Sequence, residues 1–329
     1  MRSLSIAILF AGAGALAAQQ AQHATAPFAV PAWAYPTTSP PYRAARGPFD
    51  NTTPLHVPNS DRGYTAAQIR NSYAVPDWFP DSHPTMPEPV ARGEGKKVPA
   101  CGFCHLPGGE GRSENASLAG VSADYIIGQL KDWHARTRKE AIPTWSFAKR
   151  MEDIADSVSD ADLATAAKYF ARIRPTPRVK VLERDTIQRV YQASGLYALH
   201  PDGGREALGD RIIEITEDLE RFELRDPQSG FIAYVPVGSV ARGKSIAHAA
   251  GKKAPTACVT CHGENLQGKG PAPLLAGRSP AYLLRQLLAF KTKSRNSARS
   301  APMQQVTAGL TLDDMISAAA YAGSVNPRR

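Results

Sequence analysis

All four cysteines of the 329-residue chain stand in two copies of one pattern, Cys101-Gly-Phe-Cys104-His105 and Cys258-Val-Thr-Cys261-His262. Thiols at this spacing can form disulfides, exchange with other thiols, or bind a metal. Disulfide bonding does not require a histidine after each second cysteine. Zinc-binding pairs usually lie about 15–20 residues apart, whereas these two copies lie 157 apart. A thioredoxin-type motif needs a strand leading into a helix, a context the glycines and prolines after His105 do not suggest.

A covalent use accounts for the histidine. Two thiols add to the vinyl groups of a haem, and the adjoining imidazole takes the iron as proximal ligand. Cys101, Cys104 and His105 would then hold one haem c, and Cys258, Cys261 and His262 a second. No cysteine is left for a disulfide.

The other axial position of each iron decides between electron transfer and chemistry on a bound molecule. An internal repeat supplies the candidates. Val-Ala-Arg-Gly recurs at 90–93 and 240–243, Leu-Ala-Gly at 118–120 and 275–277, and Tyr-x-x-x-Gln-Leu at 125–130 and 282–287. In the same register stand Met151 and Met303, each with a tyrosine 18 residues later, Tyr169 and Tyr321. Thioether sulfur suits a low-spin haem iron and raises its potential relative to a second histidine. Met86 and Met315 have no counterpart in the other unit, and His134 and His200 read as surface histidines.

These ligands need helices to place them. Ile126, Leu130 and Trp133, and likewise Leu283, Leu287 and Phe290, fall at i, i+4, i+7 and predict one apolar stripe on a middle helix of each unit. Ser159 and Thr311, each three residues before an aspartate, predict a capped last helix with the methionine on the loop before it. Gly93-Glu94-Gly95 weakens the helix leading into the first motif, where the second unit has GKSIAHAA.

With ACGFCH, ACVTCH, the two LAG segments, RQLLAFKTKSR and the methionine before LTLDDMISAAAYA, the chain resembles class I cytochromes c. The tandem is similar to the two-haem bacterial cytochromes of the c-four type, over roughly 88–173 and 236–325. That resemblance implies a mainly α fold, with His105/Met151 and His262/Met303 as axial pairs. It also implies a proline carbonyl that orients each proximal imidazole. Pro273 matches that position, while the first unit has Ala116.

The expected organisation is a signal peptide at 1–18, a proline-rich extension at 19–87, the first cytochrome c domain at 88–173, a β-rich linker or subdomain at 174–235, and the second domain at 236–329. Met1-Arg2 and the apolar run LSIAILFAGAGALAA before Ala15-Leu16-Ala17 point to export to the periplasm, or to an uncleaved membrane anchor. The extension reads as irregular chain lying over a surface or, at 19–60, as a disordered linker. VKVLE, IQRVYQASGLYAL, RIIEI and FELRDPQSGFIAYVP read as short strands.

A formal charge of +9, with Lys291, Lys293, Arg295 and Arg299 close together, points to an acidic partner face or an anionic membrane surface. The alternative use of these cations is neutralisation of haem propionates, with Arg138 and Arg295 aligned in the two units. Nothing in the chain forms a nucleic-acid module, and no small-molecule substrate is indicated. The expected function is one-electron transfer between a dehydrogenase or respiratory donor and an acceptor such as a terminal oxidase. A two-haem peroxidase and a haem-based sensor are the alternatives; the first needs an open or displaceable axial site with an acid-base group near it, the second a vacant or labile one.

Overall fold

The computed structural model describes residues 28–37, 50–193, 195–251 and 256–327. The expected signal peptide and the parts of the extension at 19–27 and 38–49 lie outside the described residues. Among the described residues no helix is long and apolar enough to cross a membrane.

Two helical bundles share one order of elements. The first runs α2 (Glu88–Ala91), α3 (Cys101–His105), α4 (Ala123–His134), α5 (Ser146–Ser157) and α6 (Asp160–Ala171). The second runs α8 (Ser239–His248), α9 (Cys258–His262), α10 (Pro280–Lys291), α11 (Ala301–Ala308) and α12 (Leu312–Ser324). In the first bundle α6 packs on α4 and α2; in the second α12 packs on α10 and, most extensively, on α8. The helix starts agree with the sequence: the side chains of Ser122, Ser159, Ser279 and Thr311 each accept the backbone N–H three residues on.

Two glycines allow what their positions require. On α8, a Cβ at Gly243 would lie 1.9 Å from the Ser317 carbonyl oxygen of α12, so the close helix crossing excludes any side chain there. Gly93, with φ +72°, turns the chain out of the four-residue α2, and a Cβ on it would lie 2.0 Å from the Val98 oxygen. The leading helix is therefore short in the first unit and long in the second, as the glycine content of the two segments predicts.

The core of α10 is centred on Leu284 and Leu288, both fully buried, one position from the predicted stripe of Leu283 and Leu287. They pack with Met315, Ile316, Ala319 and Ala320 of α12. Each such leucine or isoleucine contributes about 1.5–3 kcal/mol by leaving water. A smaller cluster of Val90, Val121, Ile126, Ala167 and Phe170 holds the first bundle.

Between the bundles lie β1 (Val179–Glu183), β2 (Thr186–Gln188), β3 (Val190–Ala193), β4 (Leu196–Leu199), β5 (Arg205–Ala207), β6 (Ile213–Thr216), α7 (Leu219–Glu223) and β7 (Phe231–Val235). Five strands form a sheet in the order β1-β7-β6-β4-β3, parallel at β1/β7 and β4/β6, while β2 and β5 form a separate antiparallel pair. The start of FELRDPQSGFIAYVP is helical: Phe222 and Glu223 end α7, whose Asp218 side chain accepts the Arg221 N–H, and only Phe231–Val235 is strand.

The extension is not confined to the surface. Tyr35 is 2% exposed, stacks edge-on against Trp145 with centroids 5.5 Å apart, and donates its hydroxyl to Glu140 at 3.3 Å. Trp78, 1% exposed, lies in a cluster with Val57 and Ile69, beside α1 (Ala66–Arg70), whose start Thr65 and Gln68 close with a capping box.

Candidate haem sites

Each Cys-x-x-Cys-His motif forms a single helical turn, α3 or α9, with its two thiols free. The loops that leave these turns are closed by nearly the same bonds. The His105 carbonyl accepts the Gly111 N–H at 2.9 Å, and the His262 carbonyl accepts the Gly268 N–H at 2.8 Å. Both loops then fold back, so that His105 Nδ1 lies 2.7 Å from the Ala116 oxygen and His262 Nδ1 lies 2.8 Å from the Pro273 oxygen. Replacing proline by Ala116 therefore leaves the orienting carbonyl in place. A carbonyl can only accept, so Nδ1 carries the proton and Nε2 keeps its lone pair for a metal. Burial holds both imidazoles below their usual range, which favours the neutral form that ligation needs.

The methionines are on helices, not on loops before them. Met151 lies in mid-α5 and Met303 is the third residue of α11, both half-buried. Ser159 and Thr311 begin the next helix only after these have ended, so both caps stand where the sequence places them, while the segment before each is helix instead of loop. In each bundle the methionine helix packs on the middle helix, α5 on α4 and α11 on α10, while the histidine turn packs on the leading helix. His and Met thus belong to different walls. Met315 is fully buried in α12, and Met86 packs on the cluster of Val90 and Phe170. His134 is exposed and paired with Asp156 at 3.0 Å, whereas His200 is largely covered and bonded to Arg189.

Where the bundles meet, the repeat becomes reciprocal. Arg138 and Arg295, both under 10% exposed, pair through an isolated antiparallel bridge. Arg138 donates to Gln129 of its own unit at 2.7 Å and to Gln286 of the other at 3.3 Å; Arg295 donates to Gln286 at 2.9 Å and to Gln129 at 2.5 Å. Among the described residues no carboxylate lies within ion-pair distance of either guanidinium, and each has a buried Nε without a partner. Burial alone would raise the Tyr125 phenol, but the two guanidiniums more than reverse it. The buried Glu140 carboxylate acts on Arg138 and accepts from Gln286 Nε2 at 3.3 Å without pairing directly with either guanidinium, and two buried cations held this way fit a ligand that brings its own carboxylates, as haem brings its propionates.

This placement revises the charge reading. Of the four basic residues at and beyond the end of α10, Arg295 is interior, Arg299 pairs with Asp132 at 3.2 Å, and Lys291 donates to the Ala308 carbonyl at 2.6 Å. They do not form one exposed patch.

Sequence reasoning missed Glu214, fully buried on β6. Its carboxylate accepts Ser113 Oγ at 2.8 Å from the first histidine loop and Ser279 Oγ at 2.7 Å from the start of α10. The alternation of β6 gives no cue to it, because all four strand positions are buried.

Comparison with known proteins bears on both units. The Cytochrome c family profile matches residues 240–323. The chain is 36% identical over 77 residues to cytochrome c-554(548) of Halomonas halodenitrificans, covering 23% of this chain and 93% of that one. Cytochrome c4 of Azotobacter vinelandii is 27% identical over 238 residues, 70% of this chain and 87% of the relative. The thiosulfate dehydrogenase electron acceptor of Thiomonas intermedia is 25% identical over 215 residues, 64% of this chain and 72% of the relative.

Proposed function

Since this chain belongs to the c-type cytochromes, as a two-haem member, we propose that it carries single electrons in the periplasm. It would pass them from a dehydrogenase or respiratory donor to an acceptor such as a terminal oxidase. In this reading residues 88–173 and 236–329 are the two carrier units, exported behind a signal at 1–18, with 19–87 and 174–235 as additions to them. Haem c supplies the one-electron iron couple.

The chain's own residues would do the rest. Cys101, Cys104, Cys258 and Cys261 hold the groups covalently, His105 and His262 offer neutral Nε2 atoms, and Met151 and Met303 complete the axial pairs. The observation that carries the proposal is the shared Arg138–Gln129–Gln286–Arg295 array. One polar centre serves both units, as expected of two groups that exchange electrons with each other. The electron-acceptor relative supports a role as carrier rather than as the enzyme it serves.

The test is spectroscopic. Met151→Ala and Met303→Ala should each remove about half of the red sulfur-to-iron charge-transfer band of the oxidised protein. A band that survives either substitution undiminished rejects that ligand.

A further inference from the structure

The two attachment turns differ in what covers them. In the second, Thr260 and Cys261 are exposed. In the first, the matching Phe103 and Cys104 are half-buried, and a residue from outside both repeats lies on Phe103. That residue is Arg225, just after α7. Its guanidinium carbon stands 3.5 Å from the centroid of the Phe103 ring, Nη1 donates to the Phe103 carbonyl at 2.6 Å, and Nε donates to the Ile69 carbonyl of α1 at 3.2 Å.

Arg225 is itself held from both sides. Trp78 of the extension donates Nε1 to the carbonyl of Leu224 at 2.8 Å, and the Arg225 backbone sits at φ +58°, a turn that aims the side chain back at the motif. Beside it Arg112, from the first histidine loop, lies 3.7 Å over the ring of Phe222 on α7 and 3.3 Å from Glu114. The extension, the inserted sheet region and the first attachment turn thus meet at one side chain.

We propose that Arg225 is the clasp by which these two added regions close over the Cys104 edge of the first centre, leaving the exposed Cys261 edge of the second as the place where outside redox partners exchange electrons. The route rests on the carrier reading above; the closure does not. Electron exchange between proteins falls steeply with distance, so a covered edge is a slow entrance and an exposed one a fast entrance. Arg225 acts as a positioning residue, through Phe103, and its planar fork suits the task because it stacks and donates at once.

Closure can be read without electron transfer. In the reduced, haem-loaded protein, proton signals of the thioether bridges are monitored by NMR as a soluble gadolinium chelate is added. The Cys104 bridge should relax about tenfold less than the Cys261 bridge. Arg225→Ala should cut that protection to about twofold, the change expected from losing a charge-assisted hydrogen bond and a cation–π contact. Arg225→Lys keeps the charge but not the fork and should lose part of the protection. Trp78→Phe, which removes the bond to Leu224 and the five-membered part of the buried indole while leaving Arg225 in place, serves as the second variant if Arg225→Ala fails to fold, and should raise relaxation at Cys104 about twofold.

Equal relaxation at both bridges in the unaltered protein, or protection that survives all three variants, overturns the clasp. The route is read separately, by stopped-flow reduction with a bulky outer-sphere reductant. Arg225→Ala should give the first centre a fast direct phase of its own, and protection lost without any such phase rejects the route while leaving the clasp. A protein that fails to exchange electrons yet keeps the protection pattern would reject the carrier reading and leave the clasp standing.

Discussion

The two histidine loops place their bonds alike and differ in what leans on them. Each loop closes on itself through the same glycine N–H and the same carbonyl eleven residues after the histidine. Among the described residues, the side-chain hydrogen bonds and ion pairs of the second loop stay within its own unit, as Gln267 to the Asn326 carbonyl and His248 with Glu264. The first is gripped by Ser113–Glu214, by Arg285, which donates to the Ser113 carbonyl at 2.6 Å, and by Arg278, which reaches from the second unit to Ser117 and Ala119. The geometry that orients each imidazole is local and repeats with the sequence; among the described residues, the long-range side-chain bonds onto the loop itself are made at the first loop, while Glu214 also reaches Ser279 at the start of α10.

If that contrast holds, the largest effect should come from Glu214. Glu214→Leu strands the hydroxyls of Ser113 and Ser279, at a cost of about 1–3 kcal/mol each, and should loosen the first loop far more than the second. Urea unfolding monitored at each haem band would check this; equal loss at the two centres would break the contrast. Burial also holds the Glu214 carboxyl above the usual carboxylate range, against the pull of Ser279 and Ser113. The fold therefore binds this proton more tightly than the unfolded chain does. Its contribution is complete below the ordinary carboxylate pKa and lost as pH rises through the raised value. In Glu214→Gln, that part of the pH dependence of the urea midpoint should vanish.

The matched tyrosines sharpen the comparison at smaller scale. Tyr169, 6% exposed, donates to the Pro107 carbonyl at 2.7 Å and lies 3.1 Å from Nδ1 of His83, whose Nε2 meets Asp77 at 3.1 Å. Among the described residues, the Tyr321 hydroxyl has one partner, His248 Nε2 at 3.0 Å, on an exposed face. Tyr169→Phe strands a buried carbonyl and should cost about 1–2 kcal/mol, while Tyr321→Phe should cost about half a kcal/mol or less. Thermal unfolding of the two variants side by side gives the answer, and equal costs would show that the buried bond adds nothing.

The smallest effect should come from Pro273→Ala, which makes the second loop resemble the first. The carbonyl stays, so only chain stiffness is lost, about 0.4–1 kcal/mol. A shift in the spectrum of the second haem larger than this implies would mean that proline does more than present its oxygen.

Most of the site is legible in the sequence because it is built from neighbours in the chain. The cysteine spacing gives both turns, Ser159 and Thr311 give both caps, and Gly93 gives the shortened α2. The loop expected for the methionines fails because Ser146–Ser157 and Ala301–Ala308 are helices closed by contact with α4 and α10 rather than by a capping side chain. Contact across the chain has no local signal. Tyr35 reaching Glu140, Arg278 reaching Ser117 and Glu214 joining Ser113 to Ser279 each span tens of residues or more, and neither periodicity nor a motif encodes them. The aligned Arg138 and Arg295 are visible as a pair, but not their exchange of glutamine partners.

Two intact attachment turns with neutral, oriented imidazoles make a definite claim about loading. Intact-mass spectrometry of the exported protein, after extraction with acidic organic solvent, should find two haems covalently bound to each chain. A mass corresponding to one haem, or haem released into the solvent, would contradict it.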